Sequence, residues 1–439
     1  MSRFPIRSSV LVLLLAGCAK APVPAPRALV SILPPGESQA LCLATVQGKT
    51  AVDLDLARAQ AKARSLPSRA DAWVASGRGW VRKARWSADP GFYINVEGCA
   101  AEALRADPRY VPAMELRSLV LMNNHQFESA RALAEQILQQ SPDSVIGDGT
   151  LSDASLELGR YELAAKAAQA QMNAQPGMAA FSRAAYLNWL KGDARSAKLF
   201  IRDALMDRNA ADPEAAAWTF VEAGMMYWQQ GDYDGADAIF SEALRWVPNY
   251  PSALVGRGRV ALAKGQSTAA INDFANAQRL HPLVETAWLL GDAYSLAHDA
   301  EHARQAYADA ERLGRRGDRF TWALFLASKN RNADQAVRLL EAERNTRGGI
   351  YVDDAYAWAL YRAGRFDEAR KASAQALRLG TRDARLLFHA GAIALATGDA
   401  DQGRKLINEA LALNPGFDMS GAAEARALLA SASQTLARN

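Results

Sequence analysis

Apolar and small residues recur along this chain at helical intervals, and the helical stretches themselves recur in pairs. The pattern is sharpest over residues 217–282. Laid against itself there, Gly224 falls on Gly258, Gly231 on Gly265, Ala236 on Ala270, Phe240 on Phe274, Ala243 on Ala277 and Pro248 on Pro282, each pair 34 residues apart. Glycine at the eighth position of a unit and alanine at the twentieth let two helices approach closely, and the aromatic at the twenty-fourth fills the space between them. Glycine at the fifteenth suits a turn with left-handed backbone. Proline at the thirty-second cannot continue a helix and closes the unit. One such hairpin cannot bury its apolar face alone, so the pattern predicts a stack of hairpins.

The spacing extends in both directions. Pro108, Pro142 and Pro176 are again 34 apart, with Ala130 and Ala164 at the twentieth position and Ser118 and Ser152 replacing glycine at the eighth. The first unit begins near Ala70, with Trp73, Gly77 and Trp80, and residues 86–93 enlarge its turn; extra residues also fit at 209–214. Towards the C-terminus Gly291, Ala303 and Tyr307 keep the pattern, residues 320–343 keep only Ala336 and Leu340, and Gly364, Phe366, Ala369, Gly391, Gly398, Ala410 and Pro415 restore it. About ten units thus cover residues 70–416, with capping helices over 37–69 and a closing helix over 417–439. The arrangement resembles the tetratricopeptide repeat (TPR). That resemblance implies an all-α solenoid, a right-handed superhelix of helical hairpins acting as a binding scaffold.

The start of the chain carries a different signal. Arg3 and Arg7 precede the apolar run of residues 10–16, which is too short to span a bilayer, so residues 1–17 read as a secretory signal peptide. The run ends in Leu15-Ala16-Gly17-Cys18, which resembles the bacterial lipoprotein cleavage box. The resemblance implies cleavage before Cys18 and its lipidation, palmitate included; the plain alternative is an ordinary signal peptide with an incidental cysteine. Ala19, where an aspartate would favour inner-membrane retention, points to the outer membrane. Residues 18–36 contain Pro22, Pro24, Pro26, Pro34 and Pro35 and read as a tether reaching up to ~50 Å. The expectation is a protein on the outer membrane, facing the periplasm and held by its lipid alone. In that oxidising compartment Cys42 and Cys99 are a disulfide candidate, the alternative being two small buried hydrophobes.

Composition excludes more than it assigns. Lys and Arg number 51 against 47 Asp and Glu; without Arg3 and Arg7 the balance falls to about +2, too weak a field to mark a nucleic-acid partner. Gly256-Arg257-Gly258-Arg259-Val260-Ala261 matches a dinucleotide-binding pattern, but no strand precedes it and Gly258 is a repeat glycine. His298 and His302 are four apart with Asp299 and Glu301 between them, yet position 298 falls in a turn and no third histidine lies near. No hydrolase, phosphate-loop or metalloprotease motif occurs, so no catalytic residue, metal or cofactor is expected. The rival readings are a metal- or small-molecule-handling protein and an enzyme with an unrecognised site.

What remains is a groove. In TPR arrays the second, fifth, ninth and twelfth positions of each first helix tend to line the concave face. Carried onto this chain they give Tyr186, Trp189, Trp218, Met225, Trp228, Arg259, Trp288, Phe325, Trp358 and Tyr361. So many rings on one face suggest anchors for a protein or peptide partner in cell-envelope assembly or export. The competing reading packs them between helices, and about half are expected in the core.

Overall fold

The structure, a computed structural model, describes residues 33–87 and 89–438. The leader, Cys18 and most of the tether lie outside them. Among the described residues every regular element is helical. Helices α1 (Pro35–Cys42) and α2 (Ala51–Ser65) precede ten hairpins. The first three are α3 (Ala70–Ser87) with α4 (Tyr93–Ala106), α5 (Val111–Asn123) with α6 (Phe127–Gln140), and α7 (Val145–Glu157) with α8 (Tyr161–Ala174). Next come α9 (Met178–Leu190) with α10 (Ala194–Met206), α11 (Pro213–Gln229) with α12 (Tyr233–Trp246), and α13 (Pro251–Ala263) with α14 (Ser267–Leu280). The last four are α15 (Val284–Leu296) with α16 (Ala300–Arg316), α17 (Arg319–Ser328) with α18 (Ala333–Glu343), α19 (Ile350–Arg362) with α20 (Phe366–Ala376), and α21 (Ala384–Ala396) with α22 (Ala400–Leu413). A final helix, α23 (Met419–Arg438), closes the array.

The small residues do the work their spacing predicts. Phe240 is fully buried, and its ring is clamped between two glycines of neighbouring first helices. A Cβ on Gly224 of α11 would lie 2.5 Å from the ring, and one on Gly256 of α13 only 2.3 Å from it. Gly258 faces Phe274 in the same way, at 2.6 Å. Both glycines of the dinucleotide-like motif are therefore packing glycines inside a helix, a placement in which they cradle no phosphate. Where the turn lacks glycine, His298 (φ 60°) and Asn330 (φ 51°) take up left-handed backbone, at about 1 kcal/mol each. This is why residues 320–343, the poorest match to the pattern, still form a hairpin. His302 bonds Asp299 (2.7 Å) and stacks on Tyr294, so the two spaced histidines serve a turn and a helix start.

The superhelix winds tightly enough to meet itself. The turn of the third hairpin touches the loop before α19: Arg347 pairs with Glu157 at 2.7 Å, the Gly348 amide donates to the Glu157 carbonyl, and the Ile350 amide donates to the Tyr161 hydroxyl. At the fourth hairpin the Thr381 hydroxyl donates to the Leu190 carbonyl. At the fifth, the Asn414 amide donates to the Trp228 carbonyl (2.8 Å) while Tyr233 donates to its side-chain oxygen (2.6 Å). Gly192 permits the closest approach, since a Cβ there would stand 2.4 Å from the Gly380 carbonyl. Each turn thus rests on a loop between five and six hairpins further on, and the first helices enclose a space.

Both ends are capped. At the N-terminus Cys42 and Cys99 are joined by a disulfide that ties α1 to α4, and both are fully buried. The Cys42 carbonyl accepts from the Trp80 indole (2.8 Å) and from Gln60 (3.0 Å), which carries the tie into α2 and α3. At the other end α23 packs on α21 and α22 and reaches α19, where Arg362 grips Glu424 with both outer nitrogens. The bridge closes a loop with sequence separation 57, which in the chain-entropy description stabilises by about 4 kcal/mol. We therefore expect no titratable thiol at residues 42 and 99 in the denatured, unreduced protein, and a loss of that order in denaturant unfolding of the Cys42→Ala, Cys99→Ala double variant. Two free thiols would contradict the bridge.

Candidate ligand-binding lumen

The space enclosed by the superhelix has a volume of about 1120 Å³. First helices of the early hairpins form one wall and Phe320, Arg347, Tyr351 and Arg385 of the returning hairpins form the other. The sequence of α11 explains the richest strip. Trp218, Glu222 and Met225 are spaced to share one helical face, and all three line the space. Trp218 is 44% exposed, high for so large a ring. Tyr186 and Trp189 of α9 continue the wall. Tyr351 of α19 lines the same space, facing the α9 wall from the returning hairpins.

Five of the ten groove residues are packed instead of presented. Trp189, Trp228, Trp288, Phe325 and Trp358 are all buried, and only Trp189 of these also lines the lumen. Trp228 is covered by the Arg259 guanidinium at 5.3 Å, and Arg259 in turn is held by Glu285 at 2.5 Å. Trp288 meets Phe325 edge to face at 5.7 Å. Trp358 is stacked between Tyr361 (4.9 Å) and His389 (4.0 Å), which removes Tyr361 from the lumen as well. The causes differ along the array: Arg259 of the next first helix covers Trp228, whereas in the late hairpins the rings of successive first helices pack on one another. Tyr186, Trp189, Trp218 and Met225 are the expected groove residues that the lumen brings together.

The charged lining was not foreseen. Arg183 is spent on Asp153, with bonds of 2.8 and 2.6 Å, and on Gln171 at 3.1 Å. Arg347 is spent on Glu157. Glu222 makes no hydrogen bond or ion pair with the described residues, and burial alone pushes its carboxyl up to about 7. Arg385 is likewise unpaired, its Nε buried without a partner, while Asp383 and Asp354 act on it from a distance. Burial also raises the Tyr186 and Tyr351 phenols, keeping both neutral donors. A sequence signal existed for two of these residues. The second-position rule, applied to the units starting at Ile350 and Ala384, lands on Tyr351 and Arg385. Glu222 occupies a sixth position, outside that rule, and only its spacing of four from Trp218 marks it.

A family model described as tetratricopeptide repeat matches residues 115–179, 221–285 and 355–416. No curated protein matches the chain. Among solved structures it is similar to PilW, described as a widely conserved type IV pilus biogenesis factor, at 16% identity and a TM-score of 0.40, over 48% of this chain and 96% of that one. It is similar to PilF of Pseudomonas aeruginosa at 15% identity and 0.40, over 49% and 96%. Human IFIT1, a dimer with PPP-AAAA, shares 14% identity at 0.46, over 87% and 95%. None of these assigns a ligand to the lumen.

The Glu222 carboxyl makes folding depend on pH. Its folded-state value lies above the ordinary 4.5, so the folded protein keeps a proton that the unfolded chain has released. The stability it contributes is complete below the ordinary value and is lost as the pH rises towards 7, by up to about 3 kcal/mol. The melting temperature should fall between pH ~5 and ~7.5, more steeply in the wild type than in Glu222→Gln. Equal slopes in the two proteins would give this carboxyl an ordinary pKa.

Proposed function

The chain is a tetratricopeptide-repeat protein, and on that premise we propose that its lumen holds an extended segment of a partner protein. The observation that carries this reading is the placement of Trp218. A large ring is left 44% exposed beside Met225 and Tyr186, inside a space walled on two sides, where the rings of the later hairpins are packed away. Rings so placed anchor apolar side chains at little entropic cost, and the surrounding wall excludes water from the contact. The proposed role is binding, since the lumen arrays apolar anchors and charges along its walls.

We further propose that this scaffold works in a bacterial envelope, anchored to the outer membrane through lipid on Cys18. The leader Arg3, Arg7 and residues 10–16, followed by Leu15-Ala16-Gly17-Cys18, supports export. The buried Cys42–Cys99 bridge agrees with an oxidising compartment. Partners in envelope assembly or export fit that location.

Two tests separate these statements. A photo-crosslinker at Met225, used in living cells, should yield a discrete product that the Trp218→Ala variant loses, with its melting curve unchanged and its affinity lower by about 2 kcal/mol. Trp228→Ala should instead cost ~3–5 kcal/mol of stability, as a buried ring does. Undiminished capture by Trp218→Ala would remove the lumen as the site. For the anchor, the mass of the mature protein should show lipid on Cys18, and Cys18→Ser should leave the membrane fraction. An unmodified mass together with membrane association of the variant would refute it.

A further inference from the structure

The lumen contains two deep charges that the fold leaves unused. Elsewhere among the described residues, cations on the first helices are paired as a rule. Arg183 holds Asp153, Arg362 holds Glu424, Arg259 holds Glu285, and Lys329 holds Asp292. Arg347, on the loop before α19, holds Glu157. Glu214, at the rim, accepts from the Tyr250 hydroxyl at 2.8 Å, and Asp212 caps α11. Arg85 stands exposed at the mouth, where water solvates it. Glu222 and Arg385 are the exceptions. They line the same space from opposite walls, one on α11 and the other on α21 of the returning hairpins. They do not pair with each other, and neither has a hydrogen-bonding side-chain partner among the described residues.

Such an arrangement is costly if it is only structural. A charge drawn out of water and left unpaired forfeits its hydration without return, and a fold that pairs its other deep cations has the means to pair these. A group held so and turned towards an open space is instead what a ligand of opposite charge completes. Because the two groups carry opposite signs, a ligand bearing one charge would satisfy only one of them. Trp218 and Met225 flank Glu222 on its wall and Phe320 stands with Arg385 on the other, so a ligand reaching both charges also meets apolar surface.

We propose that the lumen selects a dipolar peptide segment, with a basic side chain seated on Glu222, an acidic side chain seated on Arg385, and apolar residues between them. This rests on the lumen being a peptide site, as argued above, and adds the polarity of its occupant. A basic group arriving at Glu222 supplies the countercharge that favours its ionised form. The guanidinium of Arg385 offers the acid a planar set of donors.

The test uses the purified protein and an array of capped ten-residue peptides in a Leu, Phe, Gly and Ser background. One Lys and one Glu are placed at every pair of positions and in both orders, alongside copies carrying only Lys, only Glu, or neither. The tightest binders should carry both charges, each contributing about tenfold in affinity. Glu222→Gln should erase the gain from Lys and keep that from Glu; Arg385→Gln should do the reverse. Should Arg385→Gln fail to fold, Arg385→Met keeps the buried stem and serves in its place. Uncharged peptides that bind as tightly as any, or variants that retain both gains, would overturn the proposal while leaving the lumen a peptide site. If no peptide binds in a Trp218-dependent manner, the lumen is not a peptide site, and both readings fall together.

Discussion

The seam where the superhelix meets itself is the constraint from which the other features follow. It combines buried polar contacts with an apolar cluster in which Leu190 of the fourth hairpin packs with Ile350 and Leu386 of the last two. Asn414 is fully buried, and its amide spans the Trp228 carbonyl and the Tyr233 hydroxyl. Arg347 and Glu157 hold the loop before α19 against the turn of the third hairpin. Each such bond contributes only about 1 kcal/mol net, but a buried partner left alone would cost more, so the seam is specific even where it is not strong. It exists because the curvature is tight, and the curvature is tight because Gly224, Gly256 and Gly258 let first helices settle onto the rings of second helices.

Closure changes the chemistry of everything inside. On an open solenoid the concave face is bathed in water, and a glutamate there titrates normally. Here Glu222 keeps contact with the lumen yet is surrounded by protein, and its carboxyl rises to about 7. The same enclosure keeps the phenols of Tyr186 and Tyr351 protonated. The two halves of the array use the enclosed space differently. In the late hairpins Trp358 stacks between Tyr361 and His389, and α23 covers what remains through Arg362 and Glu424. In the early hairpins, among the described residues, Trp218 stays open to the lumen.

Packing and recognition draw on the same residue types. A tryptophan at a concave position is worth several kcal/mol whether it fills a core or grips a partner. Helical spacing alone cannot separate Trp218 from Trp228, since both are large, apolar and ten residues apart on α11. The difference is local and three-dimensional: Arg259 of the next first helix lies over Trp228, while Trp218 lies nearly three turns nearer the start of α11.

The all-helical fold, the hairpin unit, its repetition and the placement of the turns were legible in the sequence, down to the extra residues around 209–214 between α10 and α11. The physical reason is that each hairpin buries its face against its nearest neighbours, so the needed residues recur at a fixed interval and announce themselves. Two of the lumen's charged or polar residues, Tyr351 and Arg385, were within reach of the same positional rule. The lumen itself was not legible. It depends on contacts between residues 181 to 191 apart, such as Tyr233 with Asn414 and Thr381 with Leu190. These occur once each, carry no period, and use residues as ordinary as asparagine and threonine. Whether a ring faces a partner or a core, and whether a carboxylate meets water or a wall, was decided only when the superhelix closed, because burial is set by what arrives from the far end of the chain.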